Sequence, residues 1–396
     1  MAKIDELLKE LCHDGVELVK FTDYANVQYG FAFDAKKFTE DPVYLPLIRI
    51  RDIVSGTAST YYSGKYSPEY IVEPGDILVG MDGNFNLGVW KDSAGLLNQR
   101  VCKLFSKDES ILLNGFIKYY MKPIFNKIEQ QTSAGSVKHL SAKTINGIKI
   151  HLPPLPIQQH IVEVLDTFTD AISNLEEELV LREKQFEYYR EQLLAFDDED
   201  IDKAELSSIS DIKGRIGFRG YTRNDIVDKG AGAISLSPSN IVDGMLHFEN
   251  STYISWEKYE ESPEIKASEG QIVLTKTGST VGKVALIKYL PEPCTINPQL
   301  VLITCTTFNS AYLNYVLQSF SMQSEIKRLA GIGAVPNISQ KLLGKIIVPI
   351  PSSERQQEIV EILDTFEAMI ANIKEEIALR TKQYEYYREK LLSFGK

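Results

Sequence analysis

Two stretches of this chain carry the same hydrophobic rhythm. From Ile161, apolar residues fall at Leu165, Phe168, Ile172, Leu175, Leu179, Phe186, Tyr189, Leu193 and Phe196, in steps of four and three interrupted once, at Arg182. A second series runs Ile359, Leu363, Phe366, Ile370, Ile373, Ile377, Tyr384, Tyr387, Leu391 and Phe394, interrupted at the equivalent Arg380. A sustained period of 3.5 residues draws one apolar stripe along a helix and predicts a coiled coil. A lone helix would leave that stripe in water, so the two helices are expected to pack on each other; the alternative is that each lies on its own domain. At about 1.5 Å per residue, such a helix is a rod of roughly 60 Å.

The two stretches are copies. Adding 198 carries Gln158-Gln159 onto Gln356-Gln357, Leu165-Asp166-Thr167-Phe168 onto Leu363-Asp364-Thr365-Phe366, and Glu187-Tyr188-Tyr189-Arg190-Glu191 onto Glu385-Tyr386-Tyr387-Arg388-Glu389. Of the 39 positions from 158 to 196, 25 are identical in the second copy, which is an internal repeat. Each copy is entered alike. A β-like run, Ile148-Lys149-Ile150 or Ile346-Ile347-Val348, ends in prolines (Pro153, Pro154 and Pro156; Pro349 and Pro351). Proline stops a strand and suits the first turn of a helix. The run Asp197-Asp198-Glu199-Asp200 reads as a solvated linker after the first helix.

The regions ahead of the helices repeat more faintly. Gly75-Asp76-Ile77-Leu78 echoes Gly270-Gln271-Ile272-Val273, each followed by a glycine turn (Gly83 and Gly88; Gly278 and Gly282). His139-Leu140-Ser141 echoes Asn337-Ile338-Ser339, and Leu47-Ile48-Arg49-Ile50-Arg51 echoes Ser235-Leu236-Ser237-Pro238-Ser239. Several short strands are predicted per domain, with one helix late in each, near 111–130 and 310–329. The expected fold is α+β: two similar α/β domains, 1–155 and 206–351, separated by two long helices that form an antiparallel coiled coil with internal pseudo-two-fold symmetry. The first helix and its acidic exit take 156–205, and the second helix takes 352–396. Shared frames with different side chains suit two readers of two different sequences.

Charge first argues against nucleic acid, then withdraws the objection. The chain has a formal net charge of −11, but residues 156–205 alone hold 4 basic and 15 acidic side chains. The domains, with 18 of each sign in 1–155 and 14 basic against 12 acidic in 206–351, are near neutral. Local basic faces could still meet phosphates, with much of the neutralisation left to a partner. The charged N-terminus is unlike a signal peptide and no apolar run is long enough to span a membrane. Cys12, Cys102, Cys294 and Cys305 lack metal-ligand spacing and read as reduced thiols of a cytoplasmic protein.

Motifs of catalysis are imitated and not completed. Gly278-Ser279-Thr280-Val281-Gly282-Lys283 is one residue short of a phosphate-binding loop, and Val284 stands where a magnesium-holding Ser or Thr belongs. Asp41-Pro42-Val43-Tyr44 lacks the second proline of an adenine methyltransferase motif, and Glu264-Ile265-Lys266 lacks a partner aspartate for a nuclease. The five histidines do not cluster. An enzyme acting alone is not expected, and neither a metal nor a cofactor is expected on this chain.

A strand, a proline step, a Gln-Gln helix start and a Leu-Asp-Thr-Phe heptad helix, twice over, resemble the specificity subunit of type I restriction-modification enzymes. The segment Ile4–Leu11 resembles the opening of some members. The resemblance implies a non-catalytic subunit whose two target recognition domains each read one half of a split site in double-stranded DNA. It implies helices that set the spacing and dock two methyltransferase subunits. Two restriction subunits are further partners in assemblies that have them, and no membrane is involved. S-adenosylmethionine would then sit on the methyltransferase subunits, and ATP and magnesium on the restriction subunits. Rival readings are a coiled-coil scaffold that binds protein only and a modification enzyme with an unusual site.

Base edges in the major groove are read by Arg, Lys, Asn and Gln, while phosphates are held by Lys, Ser, Thr and backbone N–H groups. On that chemistry the candidates in the first domain are Arg49 and Arg51, expected on one face of a strand, with Asn84 and Asn86 in the glycine turn and Ser136, Lys138 and His139 in a third loop. In the second domain they are Ser237 and Ser239, with Lys276, Thr277, Ser279, Thr280 and Lys283. On the helices, Arg182 and Arg380 could fix register through a buried carboxylate or snorkel outward. Tyr188 and Tyr386, one ring of each Tyr-Tyr pair set outside the seam, are candidate partner contacts, as are the two arginines.

Overall fold

The computed structural model describes residues 2–132, 138–196, 201–215, 220–331, 333 and 335–394. The acidic run 197–200 and Ser136 lie outside them. The chain divides into two compact units, one of Met1–Glu176 with Glu375–Lys396, the other Glu177–Lys374. Each unit therefore holds one α/β domain, the beginning of that domain's own long helix and the end of the other long helix. The long helices begin at Leu155 and Ser353, and compactness shares each of them between the units.

The two domains are built to one plan. In the first unit a four-stranded antiparallel sheet has the order Ala25–Tyr29, Val101–Ser106, Ile77–Gly80, Leu87–Val89. In the second the order is Ser210–Gly214, Leu300–Cys305, Ile272–Thr275, Val284–Leu286. A second sheet in each contains one parallel pair, Leu45–Ile48 with Gly95–Leu97 and Gly232–Leu236 with Cys294–Ile296. The β-like runs before the prolines pair with the strand that opens each globular region, Leu18–Lys20 with Lys149–His151 and Asp202–Glu205, which lies ahead of 206, with Ile347–Ile350. The central strands Ile77–Gly80 and Ile272–Thr275 are buried at every position, as strands covered on both faces require.

The late helix differs between the domains. It runs unbroken over Asn114–Gln131 in the first. In the second it is split into Ser310–Gln318 and Phe320–Ala330, because Ser319 adopts an extended backbone and its Oγ caps the second piece at Met322 N.

The long helices span Leu155–Leu194 and Ser353–Leu391. The residues identical in the two copies have the same structural work in both. Gln158 is fully buried: its Nε2 donates to the carbonyls of Pro153 and Ile111 (2.8 Å each) and its Oε1 accepts from Leu113 N at 2.9 Å. Gln356 donates to Pro351 O at 2.9 Å and accepts from Asn309 N at 3.3 Å. Asp166 accepts from the Tyr119 hydroxyl at 2.5 Å and Lys118 at 3.0 Å; Asp364 accepts from Tyr315 at 2.8 Å and Lys288 at 3.3 Å. Thr167 and Thr365 bond back to their own helix at Glu163 O and Glu361 O. Phe168 stacks on Tyr387 with ring centroids 5.2 Å apart, and Phe366 on Tyr189 at 5.3 Å. In each unit the start of one helix thus packs on the end of the other, which makes the pairing antiparallel.

The seam is buried where helix and domain meet and half-buried beyond. Ile161, Leu165, Ile359 and Leu363 have no exposed surface. Each such side chain contributes about 1.5–3 kcal/mol through burial. Ile370, Tyr384 and Leu391 are buried, while Ile172, Leu175, Leu179, Phe186, Leu193, Ile373 and Ile377 are half-buried. Tyr189 departs from the pattern, staying exposed while it stacks on Phe366. The interruptions are not register locks. Arg182 pairs with Glu178 on its own helix (3.3 Å) and Arg380 with Glu376 on its own helix (2.7 Å), so both guanidiniums snorkel outward.

Candidate nucleic-acid interface

In both domains the chain leaves a central strand, makes a glycine turn and meets a loop from far along the sequence. After Ile77–Gly80, Gly83 N donates to Lys138 O (2.8 Å) and Leu140 N to Met81 O (2.7 Å). After Ile272–Thr275, Gly278 N donates to Pro336 O (2.9 Å) and Ile338 N to Lys276 O (2.9 Å). Gly83 and Gly278 both have positive φ, 72° and 105°, which a side chain would strain. A third segment closes the same corner: Met81 N donates to Arg100 O and Lys276 N to Gln299 O. Superposed by these bonds, Asp82, Arg100 and His139 of the first unit take the places of Thr277, Gln299 and Asn337 of the second.

One backbone thus carries two different polar sets. In the first, Asp82 accepts from the Arg100 guanidinium and lies 2.5 Å from His139 Nδ1. The carboxylate is largely covered, while the arginine and histidine are each more than half exposed. In the second, Thr277 Oγ1 donates to Asn337 Oδ1 at 2.6 Å and Gln299 Oε1 accepts from Asn297 Nδ2 at 3.2 Å. Sequence reasoning placed His139 and Thr277 among the candidates and missed Asp82, Arg100, Gln299 and Asn337. The signal that would have found the missing pair is the echo Asn98-Gln99-Arg100 with Asn297-Pro298-Gln299, each just ahead of an apolar strand.

The other candidates divide. The expectation that Arg49 and Arg51 share a strand face is incorrect: the strand ends at Ile48 and Ile50–Asp52 is a single 3-10 turn. The cause is Asp52, whose carboxylate accepts from Arg49 N at 2.8 Å and closes the turn. Burial pushes the Asp52 carboxyl above the usual range, against the Arg49 N–H bond and the two arginine charges. Both arginines are exposed; Arg51 donates to Thr60 Oγ1 at 2.9 Å and lies 3.5 Å from Asp52. Ser237 and Ser239 occupy the same kind of turn, closed by Asn240 on Ser237 N at 2.9 Å, with their hydroxyls 2.7 Å apart. Lys138 lies 3.5 Å from Glu129, and Lys283 donates to Ile241 O at 3.0 Å. Asn84 and Ser279 are exposed, and Asn86, Lys276 and Thr280 half-exposed.

These segments converge within each unit. Ile50 lies against Gly80, where an added Cβ would come 3.1 Å from Ile50 Cγ2, so the turn of Arg49 borders the turn of Asn84. In the second unit the Lys283–Ile241 bond ties the glycine turn to the turn of Ser239 in the same way. Ser136, outside the described residues, is not placed.

A corner with exposed polar side chains is thus built twice, once in each unit. The type I restriction modification DNA specificity domain matches residues 13–181 and again 208–379. The chain belongs to the type I restriction-modification specificity family. The specificity subunit of the Escherichia coli type I restriction enzyme EcoBI is 28% identical over 92% of this chain and 82% of its own length. That of EcoR124I/EcoR124II, also from Escherichia coli, is 30% identical over 74% and 73%. The crystal structure of the S subunit of a type I restriction-modification system from M. genitalium shares the fold with a TM-score of 0.62 at 16% identity, covering 97% of this chain and 98% of that one. A DNA specificity domain matched twice fits the duplication in the family member described here. Among the described residues, no helix is long and apolar enough to cross a membrane.

Proposed function

We propose that the chain is the DNA-reading subunit of a type I restriction-modification assembly, each unit reading one half of a split site in double-stranded DNA. The observation that carries the reading is the glycine-turn corner, made twice with one backbone and two side-chain sets. Arg49, Asn84, Lys138 and His139 would face one half-site, and Ser239, Lys276, Thr277, Ser279, Thr280 and Lys283 the other. Arginine and amides suit base edges, and lysines and hydroxyls suit phosphates. The paired helices set the spacing between the half-sites and receive two methyltransferase subunits, with Tyr188, Tyr386, Arg182 and Arg380 in the contact. Restriction subunits join in assemblies that cut.

The chain itself does no chemistry on this reading. S-adenosylmethionine is held by the methyltransferase subunits, and ATP and magnesium by the restriction subunits. A subunit that works on chromosomal DNA is a cytoplasmic one. The test is reconstitution. Purified alone with DNA and S-adenosylmethionine, the chain should transfer no methyl group. With its methyltransferase subunits it should direct methylation to one split motif, and methyl transfer by the chain alone would overturn the reading.

A further inference from the structure

We propose that Arg100 and Gln299 are equivalent base-reading side chains, Arg100 taking a guanine in one half-site and Gln299 an adenine in the other. The inference rests on the reading above. Three backbone hydrogen bonds in each unit, from the glycine, from the residue before the turn and from the returning loop, hold the two positions in one frame. Where two backbones agree this closely and the side chains differ, the difference is available for specificity.

The chemistry of each side chain selects its base. Guanine presents two acceptors, N7 and O6, in the major groove, and arginine donates to both through a fixed fork. Arg100 is exposed for more than half its side chain, and its fork is steadied from behind by the covered carboxylate of Asp82, which His139 braces on the other side. Arginine has five N–H donors, so the bond to Asp82 leaves an edge to offer. Adenine presents an acceptor, N7, beside a donor, N6, and a carboxamide matches both. Gln299 is exposed, its Oε1 is oriented by Asn297 Nδ2, and its Nε2 lies over the turn, 3.3 Å from where a Cβ on Gly278 would sit. At the place of Asp82 stands Thr277, whose hydroxyl donates to Asn337 Oδ1.

The test is methylome sequencing of cells that express the chain with its methyltransferase subunits. The unaltered complex should methylate a split motif with a G·C pair in one half and an A·T pair at the corresponding position of the other. The variant Asp82→Thr/Arg100→Gln/His139→Asn should change that G·C pair to A·T and leave the other half-site as it was; the intact half reports that the complex assembled. The reciprocal Thr277→Asp/Gln299→Arg/Asn337→His should change the other half from A·T to G·C. Arg100→Ala alone should lower the preference at its position by roughly 5- to 150-fold. A split motif without these pairs, or a graft that leaves its base unchanged in an assembled complex, would overturn the inference while the proposed function stood. The absence of any split motif would overturn the proposed function instead.

Discussion

At the scale of single residues, the repeated side chains of the helices are anchors. Gln158, fully buried, satisfies three backbone groups at once, two carbonyls and one N–H. Leaving such groups unpaired costs about 1–3 kcal/mol each. Gln158→Ala should therefore destabilise the protein by about 2–4 kcal/mol in urea unfolding, and exposed Gln159→Ala by less than about 0.5 kcal/mol. Tyr119 and Tyr315 are tied to the helix aspartates. Burial first, then the neighbouring carboxylates, push both phenols well above the ordinary 10.0. The folded state thus favours the neutral phenol. Its contribution is complete below pH 10.0 and is lost as pH rises through the folded value, because the unfolded phenol ionises first. Stability should be flat around these groups at neutral pH and fall in the alkaline range, and the double variant Tyr119→Phe/Tyr315→Phe should make that fall shallower.

At the scale of elements, periodicity was a sufficient guide to the helices and an insufficient one to the turns. The heptad seam, the proline entry and the strand before it are local signals with a fixed spacing, and they are legible because each repeats. Leu47-Ile48-Arg49-Ile50-Arg51 alternates like a strand, yet it stops at Ile48, since Asp52 competes for the Arg49 N–H. The split at Ser319 turns likewise on one side chain's choice of partner. The corner of Asp82, Arg100 and His139 joins segments 57 residues apart, a pairing that no local pattern announces. Tyr188 and Tyr386 were legible as outward-facing, and both are exposed, each set edge-on against the next tyrosine. Replacing both by alanine should leave the unfolding free energy within about 0.5 kcal/mol. If the pair contacts methyltransferase subunits, their affinity should drop by about 2 kcal/mol or more in calorimetry.

At the scale of the whole molecule, duplication gives one chain two independently variable surfaces. The parts identical in both copies, Gln158 with Gln356 and Asp166 with Asp364, hold a domain to a helix; the parts that differ lie in the turns. Each unit has its own hydrophobic core, so a change confined to one corner should remain there. The measurement that bears most directly on the account is a domain exchange read by methylome sequencing. Residues 1–150 are replaced by the matching part of another family member, and the chain is expressed with the methyltransferase subunits proposed for it. The account predicts a methylated motif in which one half is new and the other half is unchanged. A motif in which both halves change, or neither does, would contradict it.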